Sequence, residues 1–167
     1  MMIYELEPMV VDDAKNLHEF FDQIGGETNF VSFEKSEAPS EEACKSLLES
    51  TKEAPNYAYC IKEDGKIIAS LTANTRNGRS RERHKSNFGI AVSKNHWGKG
   101  IGSLLIEKVI SESKKNSISK ITLKVNETNT RAIKLYKKYG FEIEGIYKND
   151  RLLNGVMETG ISMALFL

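Results

Sequence analysis

The chain has 167 residues, of which 40% are hydrophobic and 28% are charged. This length predicts a single domain over 1–167 with its own core, and the composition excludes disordered, collagen-like and membrane-spanning proteins. Lys and Arg total 24 against 23 Asp and Glu, a formal net charge of +1. That balance argues against a nucleic-acid binder that works through bulk positive charge.

The N-terminal part predicts a strand followed by two helices. The strand covers 2–11, and Asp12-Asp13 supplies the N-cap of a helix that Gly25-Gly26 ends. The apolar residues of this helix recur at helical spacing: Leu17, Phe20, Phe21 and Ile24. Residues 27–39 lack periodicity and are predicted as a loop, and a second helix is predicted from Ser40 to about Glu53.

A hairpin and a further strand come next. Tyr57, Tyr59 and Ile61 alternate, Asp64-Gly65 is a strong hairpin signal, and 67–73 is predicted as the return strand. Residues 74–85 are polar and predict an exposed loop with basic side chains at Arg76, Arg79, Arg81, Arg83 and Lys85. Alternation resumes over 88–92 and predicts another strand.

The C-terminal part alternates strands with helices. A helix is predicted from Ile101 to about Lys115, a strand over 121–125, and a helix from about Asn129 that Gly140 ends. A strand from Phe141, a turn over 149–155 and a last strand over 156–166 complete the chain. This order predicts a mixed α/β (α+β) domain in three layers, whose central strands are parallel where a helix joins them.

Cysteine and histidine usage predicts no metal site. Cys44 and Cys60 form no CxxC pair, and the three histidines share no ligand spacing. The sequence is compatible with one disulfide but favours two reduced thiols in a cytoplasmic protein. Neither a secretion signal nor an apolar stretch of membrane-spanning length is present in the sequence.

The most informative segment is a glycine-rich turn between the strand ending at Val92 and the helix from Ile101. Gly98, Gly100 and Gly102 let the backbone approach a ligand closely and turn several N–H groups the same way. The helix N-terminus adds its own N–H groups and dipole, so the turn predicts a phosphate cradle. The order of residues fits neither a Walker A loop nor the GxGxxG dinucleotide fingerprint. A tight turn whose glycines serve packing is the alternative.

A second group of candidate residues follows the strand that ends at Val125. Asn129, Ala132 and Tyr136 share one helical face, on which the small Ala132 leaves room for a ligand between an amide and a phenol. The alternative is that Tyr136 is a core aromatic whose hydroxyl is satisfied internally.

Taken in order, WGKGIG at 97–102 and NxxAxxLYxxxGF at 129–141 resemble the motifs of the GNAT (GCN5-related N-acetyltransferase) superfamily. The resemblance covers nearly the whole chain and leans toward bacterial acetyltransferases of small amines, amino acids and protein N-termini. It implies a mixed, mostly antiparallel sheet with splayed parallel central strands and flanking helices. It also implies an acyl-CoA cofactor, usually acetyl-CoA, held in the splay.

The resemblance also implies roles for individual residues. It places the pantetheine arm along the backbone near Val92, the pyrophosphate on the amides of Gly98 to Ser103, and Tyr136 beside the thioester sulfur. The cofactor-binding set it implies is Ile90, Ala91, Val92, Trp97, Gly98, Lys99, Gly100, Ile101, Gly102, Ser103, Asn129, Ala132 and Tyr136. Trp97 departs from the Gln or Arg that usually opens this loop, a change that binding through backbone amides tolerates.

The implied reaction transfers an acetyl group to a primary amine of a small molecule or a peptide N-terminus by direct attack in a ternary complex. A base is needed because alkyl amines have pKa values near ~10. Glu27 is preferred over Glu34, His84 and Asp150. Tyr136 is the candidate acid for the leaving thiolate, since a thiol pKa of about 8.5 and a phenol pKa of about 10 are close.

Two other functions are compatible with the same motifs. One is a catalytically inactive acyl-CoA-binding or sensing module on the same fold. The other is a nucleotide-binding switch, which the missing Walker lysine argues against. No nucleic-acid or membrane partner is expected, and the oligomeric state stays open although dimers are common among the family.

Overall fold

The computed structural model describes residues 3–53, 55–75 and 80–167. In these ranges the strands are β1 (Glu7–Pro8), β2 (Tyr57–Glu63), β3 (Lys66–Thr75), β4 (Lys85–Val92), β5 (Lys120–Asn126), β6 (Glu142–Leu153) and β7 (Val156–Phe166). The helices are α1 (Ala14–Glu27), α2 (Glu41–Ser50), α3 (Ile101–Lys115) and α4 (Thr130–Lys138). Two short 3₁₀ helices cover Val11–Asp13 and Lys94–His96. Among the described helices, none combines the length and the apolar character that crossing a bilayer requires.

The strands form one mixed sheet in the order β1-β2-β3-β4-β5-β7-β6. The pairs β1–β2, β2–β3, β5–β7 and β6–β7 are antiparallel. β4 and β5 are parallel, with Lys85–Asn87 opposite Lys120–Thr122, because the chain passes from one to the other through α3. The mixed fold class predicted from the sequence is therefore confirmed.

One compact unit comprises the described residues of 1–74 and 89–105. Its core forms because α1 has an apolar stripe at spacings of three and four, with Leu17, Phe20 and Ile24 buried. The buried cluster is Met9, Ala14, Leu17, Phe20, Ile24, Cys44, Leu48, Ala58, Cys60 and Ile67. Both cysteines are free, buried thiols.

A second compact unit comprises the described residues of 75–88 and 106–167. It contains β5, the long β6–β7 hairpin and α4. The rings of Phe88, Tyr136 and Phe141 pack together, with centroid separations of 5.7 to 6.2 Å. This aromatic cluster fixes the side of α4 that carries Tyr136.

The N-terminal strand is much shorter than predicted. Only Glu7–Pro8 pairs with β2, and a 3₁₀ helix follows at Val11–Asp13. The predicted alternation is present in the burial of the segment, since Tyr4 and Leu6 are half-buried and Ile3 and Glu5 are exposed. Most of the predicted strand was wrong, because only Glu7 and Pro8 have a neighbouring strand to pair with. Alternating burial does not by itself make a segment a strand. Met2 lies outside the described residues.

The prediction that Gly25-Gly26 ends the first helix was also wrong. α1 continues through both glycines to Glu27, which is therefore helical and not the first residue of a loop. A Cβ on Gly25 would lie 2.9 Å from the backbone carbonyl carbon and oxygen of Glu34. Gly25 thus lets the following loop cross the helix closely, which is a packing role that local sequence does not distinguish from termination.

Three later boundaries differ as well. α2 ends at Ser50, where Ser50 and Thr51 donate hydroxyl hydrogen bonds to carbonyls of the last turn. The loop predicted over 74–85 is narrower, because β3 reaches Thr75 and β4 begins at Lys85. Arg76 and Arg79 lie outside the described residues.

The turn predicted over 149–155 was wrong. β6 runs to Leu153, and the turn is only Asn154-Gly155, both with positive φ (49° and 79°), as suits a two-residue hairpin. The polar run that suggested a longer turn is an irregularity in β6 between Tyr147 and Arg151, where Asn149 has φ of 51°.

Candidate active site

The glycine turn between β4 and α3 is shaped by backbone conformation rather than by packing. Gly98 and Gly100 have φ of 75° and 83°, a region that favours glycine. A Cβ added at either position would meet no atom within 4 Å. Both glycines therefore border open space, which favours a ligand cradle over the packing alternative.

The backbone N–H groups of this turn are available to a ligand. Within the part of the chain that the structure describes, the N–H groups from Gly98 to Ser103 donate to no acceptor. The first engaged N–H is that of Leu104, which donates to the Gly100 carbonyl at 3.2 Å. A row of free donors at the N-terminus of a 15-residue helix is suited to an anion such as a diphosphate.

Trp97 connects the glycine turn to the end of β4. Its indole Nε1–H donates to the Val92 carbonyl at 2.7 Å. This hydrogen bond links the two ends of the segment from Val92 to Trp97. The tryptophan at position 97, where the family usually has Gln or Arg, therefore has a structural role. No signal in the sequence predicts this contact.

Glu27 lies at the C-terminal end of α1 and is hydrogen-bonded to the segment between β4 and the glycine turn. Its Oε2 accepts the backbone N–H of Lys94 at 2.8 Å, and its Oε1 accepts a side-chain N–H of Gln23 at 2.7 Å. Each carboxylate oxygen keeps further acceptor capacity after one such bond. Glu27 thus belongs to the same unit as the glycine turn and is anchored to the segment that precedes it.

Tyr136 lies on α4 with 8% of its surface exposed. Burial raises the pKa of its phenol to about 12, so the phenol is neutral at physiological pH. Among the described residues its hydroxyl has no hydrogen-bond partner. The ring is therefore a core aromatic, as the alternative interpretation held, but its hydroxyl is not satisfied internally.

Asn129 and Ala132 begin the same helix. Asn129 is the N-cap of α4, and its Oδ1 accepts the backbone N–H of Ala132 at 3.3 Å. This bond fixes the side chain through its oxygen and leaves the Nδ2 donors for another partner. Ala132 and Tyr136 are four residues apart on α4, and Asn129 caps the first turn of the same helix.

The other candidate bases are an ion-paired carboxylate and two exposed side chains. Asp150 forms an ion pair with Lys124 at 2.9 Å and lies over Gly160, where an added Cβ would be 2.5 Å from its Oδ2. His84 is exposed in the turn before β4, and Glu34 is exposed in the loop after α1.

A polar cluster that sequence analysis missed lies on the β6–β7 hairpin. Glu158 Oε2 accepts hydrogen bonds from Arg151 Nε at 2.5 Å and from Asn126 Nδ2 at 2.9 Å. Asn126 is the last residue of β5, and its Oδ1 accepts the Thr128 N–H that leads toward α4. No spacing in the sequence indicates this cluster, because the irregularity in β6 sets the register that places Arg151 opposite Glu158. Over the described ranges, no three His, Cys, Asp or Glu side chains are grouped to hold a metal ion.

Comparison with known proteins identifies the family. Residues 18–141 match the model of the acetyltransferase (GNAT) family. The chain is 36% identical to the L-amino acid N-acetyltransferase AaaT of Escherichia coli (strain K12) over 119 residues, which are 70% of this chain and 71% of that protein.

Solved structures agree with this match. The acetyltransferase of the GNAT family from Streptococcus pneumoniae has a TM-score of 0.92 and 25% identity, covering 99% of this chain and 100% of that chain. The putative acetyltransferase yncA from Salmonella typhimurium, solved with its cofactor acetyl-CoA, has a TM-score of 0.87 and 15% identity, covering 99% and 95%. GNAT acetyltransferases use acetyl-CoA. The chain belongs to the GNAT acetyltransferase family and is an acetyl-CoA-dependent N-acetyltransferase.

Proposed function

We propose that this enzyme acetylates the primary amine of a free amino acid or a similar small molecule, or of a peptide N-terminus, by direct attack on acetyl-CoA in a ternary complex. The amino-acid class has the best support, because the relative with 36% identity is named for L-amino acids. The observation that carries the proposal is the row of unengaged N–H groups from Gly98 to Ser103 beside open space at Gly98 and Gly100.

The glycine turn and the end of β4 supply the proposed diphosphate and pantetheine contacts. The N–H groups of Gly98 to Ser103 bind the diphosphate, and the Lys99 ammonium adds positive potential. The backbone of Ile90 to Val92 pairs with the pantetheine arm, and Trp97 holds the end of that strand through the Val92 carbonyl. Acetyl-CoA supplies an activated acetyl thioester, so these residues need only bind and orient it.

The helix α4 supplies the proposed proton donor. Asn129 donates to the cofactor arm through Nδ2, and Ala132 leaves space on the same helical face. The Tyr136 hydroxyl donates to the leaving sulfur. With its pKa raised to about 12, the phenol is a weak acid, so it stabilises the sulfur first as a hydrogen-bond donor and gives up the proton late.

Glu27 is the proposed base for the acceptor ammonium. An amine with a pKa of about 10 is protonated at neutral pH and must lose a proton before it attacks. Each oxygen of the Glu27 carboxylate accepts one hydrogen bond and keeps acceptor capacity for an N–H of the acceptor ammonium. The proton then leaves through Glu27 or a water that it orients.

A thiol-release assay with acetyl-CoA and a panel of amines tests the proposal. The panel contains L-amino acids, their D-enantiomers, polyamines, an aminoglycoside and a short peptide, with mass spectrometry of each product. We expect turnover with at least one L-amino acid and a mass increase of one acetyl group on its amine. Tight acetyl-CoA binding without turnover of any amine would contradict catalysis and support the sensing module instead.

A further inference from the structure

The segment Ser93–Trp97, here called the connection, joins β4 to the glycine turn and is held by groups from other parts of its unit. The Ser93 N–H donates to the Ile68 carbonyl of β3 at 2.9 Å. The Lys94 N–H donates to Glu27 of α1 at 2.8 Å. Backbone bonds from His96 N–H to the Ser93 carbonyl and from Trp97 N–H to the Lys94 carbonyl close the 3₁₀ turn between them.

The side chain of His96 links Ser93 to Glu63 through two hydrogen bonds, and these three side chains are here called the relay. Its Nδ1 lies 2.6 Å from Ser93 Oγ, and its Nε2 lies 3.0 Å from Glu63 Oε2. Glu63 is the last residue of β2, so the relay attaches the connection to a strand that is 33 residues away from His96 in the chain. With neutral imidazole, Nε2–H donates to the Glu63 carboxylate while Nδ1 accepts a hydrogen bond from the Ser93 hydroxyl.

The relay has the residue types of a nucleophilic triad, but its placement does not suit one. Ser93 is 2% exposed, and its backbone is engaged on both sides by the strand and the 3₁₀ turn. A buried hydroxyl cannot reach a substrate without unfolding this segment. The relay therefore acts on the position of the chain rather than on a reacting atom.

The glycine turn begins immediately after the connection, so the relay holds the chain directly before the turn. Gly98 is the next residue after Trp97, and glycine, which has no Cβ, restricts the backbone of the turn less than any other residue. N–H groups that are held in place before a ligand arrives bind it more tightly, because less conformational entropy is lost on binding. Anchoring the chain immediately before the turn restricts the positions that its N–H groups can take before the ligand binds.

We propose that His96, held between Ser93 and Glu63, is a positioning residue that preorganises the Gly98–Ser103 amides for the diphosphate of the cofactor. This inference rests on the proposed function, in which those amides bind the diphosphate. It adds a contribution to cofactor affinity from a side chain that contacts neither the cofactor nor the acceptor. Removing the relay should weaken binding of the diphosphate and leave the chemical step intact.

Three substitutions at one position separate the two halves of the relay. His96→Asn keeps a polar atom near Nδ1 for Ser93, His96→Gln keeps one near Nε2 for Glu63, and His96→Ala keeps neither. We expect His96→Ala to raise the KM for acetyl-CoA about 10-fold, as loss of two hydrogen bonds implies, with kcat within about 2-fold. The Asn and Gln variants should fall between wild type and His96→Ala. His18→Ala, which removes a histidine whose Nδ1 lies 2.8 Å from the Pro39 carbonyl oxygen, is the matched control and should change neither constant.

A truncated donor distinguishes positioning of the diphosphate from general destabilisation. S-acetyl-pantetheine carries the same thioester but no diphosphate. We expect kcat/KM for this donor to differ by less than about 2-fold between His96→Ala and wild type. A loss for the truncated donor equal to the loss for acetyl-CoA would overturn the inference, and so would an unchanged KM for acetyl-CoA in His96→Ala.

Gly100→Ala separates failure of this inference from failure of the proposed site. If Gly100→Ala raises the KM for acetyl-CoA and all three His96 variants do not, the amides bind the diphosphate but the relay does not order them. If Gly100→Ala leaves that KM unchanged, the diphosphate lies elsewhere, and both the proposed site and the inference are wrong. Circular dichroism and thermal melts of each variant identify any that fails to fold, and the Asn and Gln variants then carry the test.

Discussion

The carboxylate of Glu27 accepts the backbone N–H of Lys94 at 2.8 Å, across 67 positions of the chain. The last residue of α1 is thereby attached to the segment that leads into the glycine turn. This bond gives Glu27 a structural role in addition to its proposed role as a base, and the two roles can be separated by substitution.

Glu27→Gln should remove the base and keep the anchor, because the amide oxygen still accepts the Lys94 N–H. We expect kcat to fall about 100-fold or more, the low end for loss of a general base, with little change in Tm. Glu27→Ala loses both roles and should also raise the KM for acetyl-CoA. Wild-type kcat in Glu27→Gln would exclude Glu27 as the base, and Glu34, His84 and Asp150 would be the next residues to test.

Tyr136→Phe should lower activity without lowering stability. The ring contacts with Phe88 and Phe141 are kept, and among described residues the lost hydroxyl has no internal partner. We expect kcat to fall at least about 10-fold, with Tm unchanged or slightly higher. Steady-state kinetics and a thermal melt measure both quantities. Full turnover across the pH range would remove Tyr136 from the reaction.

Gly100→Ala should weaken cofactor binding beyond its effect on folding. Gly65 is a matched control, because it also has positive φ (75° against 83°) and open space around an added Cβ. Each Ala variant should lose about 1 kcal/mol of unfolding free energy from backbone strain. Only Gly100→Ala should raise the Kd for coenzyme A in calorimetry. Equal Kd values for the two variants would contradict a diphosphate cradle at this turn.

Gly160→Ala should destabilise the second unit. The new Cβ would lie 2.5 Å from Asp150 Oδ2, so Asp150 must move and its ion pair with Lys124 is strained. We expect a loss of about 1–3 kcal/mol in urea unfolding, the usual range for overpacking. Asp150→Ala in the same chain removes the clash and should recover part of that loss. Additive effects of the two substitutions would show that they do not meet.

The stability of the first unit should fall at alkaline pH through Cys60. Burial is the main cause that raises the pKa of this thiol from 9.0 to about 12. A raised folded-state pKa gives stability that is fully present below pH 9 and is lost as pH rises toward 12. Urea unfolding at several pH values should therefore show a smaller alkaline loss in Cys60→Ala than in wild type. Parallel profiles for the two proteins would contradict the assignment.

Local signals predicted the elements that border the site. α3 begins at Ile101 and ends at Lys115, and β7 covers 156–166, both as expected from apolar periodicity. Asn129 and Gly140 flank α4 because capping chemistry is carried by single residues. The candidate cofactor residues could be proposed from the sequence because they lie in two short, contiguous segments, 90–103 and 129–136.

Non-local contacts explain what the sequence could not supply. Gly25 is indistinguishable from a helix terminator until the Glu34 backbone is seen to cross it. The relay of Glu63, His96 and Ser93 and the pair of Arg151 with Glu158 depend on strand register and turn geometry. No pattern of spacing encodes such partners, so the sequence does not predict them.

Trp97 is the single tryptophan of the chain, and its indole N–H is bonded to the Val92 carbonyl. Fluorescence excited at tryptophan wavelengths therefore originates from one residue, at the junction of β4 and the glycine turn. Titration with coenzyme A should shift the intensity or the maximum of that emission, without any attached dye. Such a shift would make the enzyme's own tryptophan an optical reporter of cofactor binding.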